Sequence, residues 1–324
     1  MKIGALPREW IDLGIFTAAA FLLYQFGALF FLMSVPLFIL GFKRGREYLL
    51  YALGIILGMV LLQVFIRTRG IESGVLQRFF FVLEIVYPLG ILAGIAAVFW
   101  GKGRVLYRLL TGTAAVLIIS LPVAGIYSGS QEVAGFLREQ TGLILEALKS
   151  SVNNTVATGE TMMLATLDAE AVYELILQLF VKNYIFSFFL VLSAGWLVAD
   201  RLYSRFTGGT PFSLTGFHVP ELLLWPILGA WTGVLLDVTA GIPVIGFLFW
   251  NYGMILLSIF ALQGAAILKF LFGQYGVSRL IQTLVVFSAV IVLMTPRINL
   301  VLIVGVPLLG LSEIWVRYRA VNSA

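Results

Sequence analysis

The sequence predicts an all-α fold, a polytopic transmembrane helical bundle with about ten spans. Hydrophobic residues make up 60% of the 324 residues, charged residues make up 11%, and the mean hydropathy is +1.02. A soluble domain is nearer half apolar and about a quarter charged. Several apolar runs continue for roughly 18 residues or more, which is long enough for a helix to cross the hydrocarbon core. The lipid bilayer is therefore the first predicted partner of the chain.

The first apolar run extends over residues 11–41. The polar residues Tyr24 and Gln25 fall in its middle, and we predict that they divide it into two short helices, at about 10–24 and 26–41. A single tilted helix is the alternative, and it would give nine spans with an external N-terminus. The remaining spans are predicted at about 47–66, 79–100, 105–127, 174–200, 220–237, 244–270, 279–295 and 298–316.

One long segment, residues 128–173, has the composition of a soluble protein. Val133 and Phe136 belong to a set of apolar residues at helical spacing in this segment, so an acidic amphipathic helix is predicted there. The predicted organisation is therefore N-terminal transmembrane helices at 1–127, the external segment at 128–173, and C-terminal transmembrane helices at 174–324.

The distribution of Lys and Arg predicts the orientation of the chain in the membrane. With ten spans, five basic segments fall on one side, which we assign to the cytoplasm together with both termini because cytoplasmic loops carry an excess of Lys and Arg. The segment at 128–173 then lies outside. One connection disagrees, since Arg67, Arg69 and Arg78 would be external. The five basic segments are 42–46, 101–104, 201–205, 269–279 and 317–319.

Several functional classes are excluded or disfavoured by what the sequence lacks. It has no cysteine and one histidine, His218, so disulfides, thiolate metal sites and polyhistidine sites are not expected. It has no phosphate-binding Gly-rich motif, no nucleophile elbow and no basic patch with interleaved aromatic residues. We therefore predict that the protein is not an enzyme, that it holds no metal or cofactor, and that it binds no nucleic acid.

The C-terminal half resembles a known family. Its relevant segments are His218–Pro226, the residue Asn251, the step Phe260–Gly264, and the ending Leu308–Arg317. Together they resemble the YybS-like family of uncharacterised bacterial integral membrane proteins, over about residues 217–319. The resemblance implies a multi-pass protein of the bacterial cytoplasmic (inner) membrane.

The YybS-like family is similar in topology to the substrate-binding components of energy-coupling-factor transporters, an analogy at the level of fold alone. Those components usually carry small residues four apart on the first helix, where they dock to a coupling subunit. In this chain the corresponding pair is Gly14 and Ala18. The analogy implies a small-molecule solute as a partner. It does not decide whether the chain has a coupling subunit.

Glu84 is the sharpest candidate for a solute-binding residue. It lies about six residues into its predicted span and three before Tyr87, and an ionisable residue inside the bilayer is costly and often functional. Pro88 has no backbone N–H, so a carbonyl near Glu84 is predicted to lack its helical donor. Glu84 and Tyr87 would then face a cavity that binds a cation or relays protons. The alternative is an interfacial Glu84 paired with Arg78.

Three further candidates lie on one predicted span. Asn251 and Ser258 are seven residues apart and share a helix face, whereas Gln263 lies about 120° around the axis from Asn251. They either contact the solute or form the interhelical hydrogen bonds that are common for these residue types in membranes.

A polar stripe is formed by residues four apart, Glu174, Gln178 and Lys182. It either lines an external vestibule or marks a helix that projects beyond the bilayer before entering it.

Other polar and small residues favour structural roles. We expect Asp237 to lie at the membrane interface and His218 to be solvated or to cap a helix. Gly54 and Gly58, four residues apart, are expected to permit close helix packing.

Two functional hypotheses follow from these features. In the first, the protein is transporter-like and binds a small solute between its helices, with the segment at 128–173 as a lid. In the second, it is a membrane scaffold or assembly factor that docks a membrane protein partner through 128–173 or through the loop at 204–219. An enzyme acting on lipid is disfavoured because no catalytic constellation is present.

Overall fold

The computed structural model describes residues 7–27, 29–69, 74–127, 130–153, 168–241 and 243–319, and all regular structure in these residues is helical. The chain divides into two compact units, Met1–Pro211 and Phe212–Ala324. The predicted all-α class is therefore confirmed for the described residues.

The first unit is built from seven described helices, and a 3-10 turn at Phe30–Met33 leads into the second of them. Gly45, at φ +86°, separates α2 from α3 by a single residue, and the left-handed region that this angle requires favours glycine. The helices are α1 (Arg8–Gln25), α2 (Ser34–Arg44), α3 (Arg46–Thr68), α4 (Gly74–Trp100), α5 (Val105–Tyr127), α6 (Gln131–Asn153) and α7 (Ala169–Thr207).

The division of residues 11–41 into two helices is confirmed, because α1 ends at Gln25 and α2 begins at Ser34. The two helices run antiparallel, with the beginning of α1 beside the end of α2. Asp12 accepts a hydrogen bond from Lys43 Nζ at 2.9 Å and one from Arg44 Nε at 2.7 Å. Asp12 of α1 thus neutralises the basic end of α2, which one continuous helix would not allow.

Close helix packing in the first unit occurs at glycines other than the predicted pair. A Cβ on Gly112 of α5 would lie 2.8 Å from the Gly94 carbonyl oxygen of α4, and a Cβ on Gly94 would lie 2.7 Å from a Leu192 methyl group of α7. The prediction for Gly54 and Gly58 was wrong, since a Cβ on either would meet nothing within 4 Å. Both glycines are exposed on α3.

The amphipathic helix predicted within 128–173 is present as α6, which ends at Asn153, and residues 154–167 lie outside the described part of the chain. Arg138 attaches α6 to α7, because its Nε donates to the Glu170 carboxylate at 2.9 Å and its guanidinium lies 5.0 Å from the centre of the Tyr173 ring. Helix α7 has 39 residues and is therefore about 58 Å long. That length exceeds the bilayer core of about 30 Å, so one end of α7 extends beyond it.

The second unit contains four helices in its described residues, together with 3-10 turns at Leu214–Gly216 and Glu221–Leu223. Helix α9 packs against both α8 and α11, and α11 also contacts α10. Gly264 of α9 faces α11 so closely that a Cβ would overlap the Val306 carbonyl oxygen, and a Cβ on Gly310 would overlap the Phe260 carbonyl oxygen. The helices are α8 (Leu224–Ala240), α9 (Pro243–Gln274), α10 (Arg279–Met294) and α11 (Asn299–Val316).

Six segments of the described residues are long and apolar enough to cross a membrane. The other four predicted spans overlap α1, α2, α5 and α10, and α2 has only 11 residues. Of these, α1 carries three charged residues in its 18 residues, and α5 and α10 offer shorter apolar stretches, at Val105–Leu121 and Arg279–Met294. The chain thus has the helices of a membrane protein. The six segments are Arg46–Thr68, Gly74–Trp100, Ala169–Thr207, Glu221–Ala240, Ile245–Gln274 and Asn299–Val316.

The contact between α9 and α11 gives a testable prediction. Gly264→Ala places a methyl group against the backbone of α11, and the resulting overpacking is expected to lower the free energy of unfolding by about 1–3 kcal/mol. Gly305→Ala is the matched control on α11, because a Cβ there meets nothing within 4 Å. Thermal unfolding in detergent measures both variants. Equal stability of the two would contradict the close approach of α9 and α11.

Candidate functional site

Glu84 is the eleventh of the 27 residues of α4, in the middle third of the helix, and is half-buried. Helix α4 continues through Pro88, so the carbonyl of Glu84, four residues earlier, lacks the N–H donor that an α-helix normally supplies. Both oxygen-bearing groups of this residue, carbonyl and carboxylate, are therefore available as acceptors at one point of a helix that is long enough to cross the membrane.

The predicted alternative for Glu84, an ion pair with Arg78, is not formed. Arg78 Nε donates to the Gly74 carbonyl of its own helix at 3.0 Å. Among the described residues, no side chain donates a hydrogen bond to the Glu84 carboxylate or forms an ion pair with it. Tyr24 of α1 lies within electrostatic range of both Glu84 and Arg67. The carboxylate thus shares a region with one tyrosine and one arginine and is paired with neither.

A cluster of aromatic rings lies next to Glu84 along α4. Tyr87, three residues along α4, packs edge-on to Phe30 at 5.0 Å between ring centres and against Phe188 of α7 at 4.6 Å. Tyr184 extends the cluster, with its ring 5.2 Å from that of Phe188 and its hydroxyl 3.3 Å from Ser120 Oγ. Tyr87 therefore belongs to an aromatic cluster, and the Glu84 carboxylate lies one helical turn before it on α4.

Asn251, Ser258 and Gln263 lie in the second unit. Asn251 is buried, and its Nδ2 donates to the Phe247 carbonyl at 2.7 Å, while Ser258 Oγ donates to the Ile255 carbonyl at 2.7 Å. Both of these bonds stay within α9. Gln263 instead connects separate elements, accepting from the Val219 N–H at 2.6 Å and donating to the Gly310 carbonyl at 2.9 Å. Gln263 thus makes the kind of bond that the structural alternative predicts, whereas these bonds of Asn251 and Ser258 are local to their own helix.

The polar stripe lies on the N-terminal part of α7. Glu174 and Gln178 are exposed and Lys182 is half-buried. Asn183, adjoining the stripe, donates to the Leu179 carbonyl of its own helix at 2.9 Å. Because α7 is about 58 Å long, these residues fit the part of the helix that projects beyond the bilayer better than a vestibule wall.

A network that the sequence analysis missed centres on Arg319. Its guanidinium pairs with the Glu313 carboxylate through two hydrogen bonds, one of 2.6 Å from Nε, and both side chains are only 6% exposed. Nη1 donates to the carbonyls of Thr215 and Phe217 at 2.8 Å each, and Nη2 lies 3.0 Å from His218 Nδ1. His218 was predicted to be solvated or to cap a helix. It is exposed, but it contacts Arg319.

The Arg319 network borders a cavity of about 350 Å³ within the second unit. Pockets of this size are large enough for a small molecule or a lipid headgroup. Most of the polar side chains around it carry charge, and both signs are represented. They are His218, Glu221, Gln263, Glu313, Arg317 and Arg319.

Asp237, which was predicted at the membrane interface, is buried against its neighbours near the end of α8. Its carboxylate accepts a hydrogen bond from Trp250 Nε1 at 2.9 Å, and a Cβ on Gly246 would lie 2.5 Å from Oδ1. The glycine therefore makes room for the carboxylate between α8 and α9. Asp237 holds these two helices together near the turn that joins them.

Neither a metal cluster nor a relative identifies the site. In the part of the chain that the structure describes, no group of three or more His, Asp or Glu side chains is placed to hold a metal ion. No family model, curated protein or solved structure matches this chain. The resemblance of residues 217–319 to the YybS-like family therefore stays a prediction.

The buried pair Glu313–Arg319 gives a second testable prediction. Glu313→Gln leaves the Arg319 charge buried without its counter-ion, which is expected to cost about 3 kcal/mol of stability. Arg317→Gln changes an exposed arginine two residues away and is expected to stay within about 0.5 kcal/mol of the parent protein.

The double variant Glu313→Leu/Arg319→Met removes both charges together. Its cost is expected to fall below the sum of the costs of Glu313→Leu alone and Arg319→Met alone by about 2 kcal/mol, because neither charge is left alone. Unfolding in mixed detergent compares the parent protein, these two single variants and the double variant. Strict additivity of the two substitutions would show that the pair is not coupled.

Proposed function

We propose that this protein is a transporter-like membrane protein that binds a small organic cation between the helices of its first unit, at Glu84. The observation that carries the proposal is a half-buried carboxylate, on a helix long enough to cross the membrane, that has no hydrogen-bond donor or ion-pair partner among the described residues. A charged side chain near the bilayer centre costs about 2.5–3.5 kcal/mol on insertion scales. A bound cation offsets that cost.

The aromatic cluster next to Glu84 indicates what kind of cation fits. Tyr87 lies one helical turn after Glu84, and Phe30 and Phe188 pack on its ring. Aromatic faces attract cations within about 6 Å, and organic ammonium groups bind to such clusters. A carboxylate beside aromatic rings therefore favours an organic ammonium compound over a small hydrated metal ion.

We also propose ten membrane crossings, with both termini in the cytoplasm of a bacterial cell. All ten predicted spans overlap helices, and α1 and α2 form an antiparallel pair with the basic residues Lys43 and Arg44 at the end opposite the connection between them. This arrangement supports placing the basic end at the cytoplasmic face. The resemblance of residues 217–319 to the YybS-like family supports the bacterial cytoplasmic membrane as the location.

Binding at Glu84 is tested by native mass spectrometry of the gently solubilised protein. The parent protein is expected to carry a small co-purified cation, and Glu84→Gln, which removes the charge but keeps the size, is expected to weaken its binding at least about tenfold, or 1.4 kcal/mol. Glu139→Gln is the matched control, since Glu139 is an exposed glutamate of α6. An adduct of equal occupancy on both variants would remove Glu84 from the site.

The ten-span topology is tested by labelling introduced cysteines, and the chain has no native cysteine to interfere. In intact cells, a membrane-impermeant maleimide is expected to label Gly27→Cys and Glu139→Cys. Arg8→Cys and Lys102→Cys are expected to react only after permeabilisation. All four positions are exposed. External labelling of Arg8→Cys would favour the nine-span alternative.

A scaffold or assembly factor is the second candidate function, and exposed apolar residues on α6 and α7 favour it. Leu143, Ile144 and Leu148 repeat on one face of α6, and each is more than half exposed. Leu175 and Leu179 are equally exposed on α7. Apolar patches of this kind mark protein or membrane interaction sites. A stoichiometric partner protein in the same mass spectra, with no small adduct, would support this function over solute binding.

A further inference from the structure

The charged side chains that line the cavity beside Arg319 fall into two groups, and those of the first group already neutralise each other. The Arg319 guanidinium is saturated by the Glu313 carboxylate and by the carbonyls of Thr215 and Phe217. Because both charged side chains are nearly inaccessible, a ligand in the cavity meets them as one neutral, rigid wall. Gln263 adds to that wall, since its amide is fixed by Val219 and Gly310.

The second group of charged side chains is exposed and unpaired. Glu221 and Arg317 both line the cavity, and among the described residues neither side chain forms a hydrogen bond or an ion pair. Arg317 lies at the C-cap of α11 with φ +45°, a left-handed conformation that is uncommon for a residue other than glycine. The cavity therefore offers one free anion and one free cation.

The residues beside these two charges are those of a membrane interface. Trp225 follows Glu221 by one helical turn and is 70% exposed, and Trp315, two residues before Arg317, is 66% exposed. Leu222 is exposed as well. Exposed tryptophans are enriched at the level of the lipid headgroups, where one side of the ring is apolar and the other is wet. Exposed apolar residues thus lie close in sequence to the two unpaired charges of the cavity.

We propose that this cavity binds the headgroup of a zwitterionic phospholipid, with the ammonium group at Glu221 and the phosphate at Arg317. A zwitterion matches the two free charges without leaving either unpaired, whereas an anionic headgroup would face Glu221 with no compensating cation. The exposed Trp225, Trp315 and Leu222 contact the acyl chains of the same lipid. The site lies in the second unit and does not depend on Glu84.

The test compares two lipids that differ in headgroup charge. Delipidated protein is titrated with phosphatidylethanolamine and with phosphatidylglycerol of identical acyl chains, and bound lipids are counted by native mass spectrometry. The parent protein is expected to prefer phosphatidylethanolamine at least about fivefold. Glu221→Gln removes the negative charge and is expected to reverse the preference. Arg317→Gln is expected to weaken both lipids, and phosphatidylglycerol more strongly.

Arg279→Gln is the matched control, because it removes an exposed arginine that does not line the cavity. It is expected to keep the parent preference. Equal retention of the two lipids by the parent protein, or an unchanged preference in Glu221→Gln, would overturn the proposal. Glycerophosphoethanolamine provides the last comparison, since it has the headgroup without acyl chains. Binding as tight as that of the intact lipid would overturn the assignment to a membrane lipid.

Discussion

The structure depends on one constraint, that a polar group inside a bilayer has no water to bind and must be satisfied within the protein. The hydrogen bonds within each α-helix satisfy this constraint for the backbone N–H and C=O groups. Small polar side chains meet it locally, as when Thr113 and Ser120 of α5 each donate to the carbonyl four residues earlier. Few polar groups are therefore left for contacts between helices, and those few determine which helices are held together.

Three of these contacts between helices lie near a helix end or beside a glycine. Asp12 joins α1 to the last turn of α2, Asp237 joins α8 to α9, and Gln263 joins α9 to α11. Between them, glycines such as Gly264 and Gly310 allow backbones to approach, so that van der Waals contact supplies the attraction that hydrophobicity does not provide in lipid. The polar contacts fix how neighbouring helices are aligned along their axes, and the glycines fix how closely the helices approach.

Hydropathy predicted where the helices lie, because a long apolar run has few alternatives to a helix in a membrane. It predicted the break between α1 and α2 and the amphipathic helix α6. It did not predict which residues face a neighbour, since that depends on the rotation of each helix. Gly54 and Gly58 have the spacing of a packing motif but lie on an open face. Asp237 lies at the end of an apolar run, but the Trp250 side chain of the next helix buries it.

The two glutamates at membrane-spanning helices show why partners matter more than position. Glu313 lies in the apolar run of α11, as Glu84 lies in that of α4, and depth alone would make both functional candidates. Glu313 is fully paired with Arg319, so its charge is not available to a ligand. Glu84 has no such partner among the described residues. The same residue type thus completes a structural network at one position and, at the other, retains the unpaired charge that a cationic solute requires.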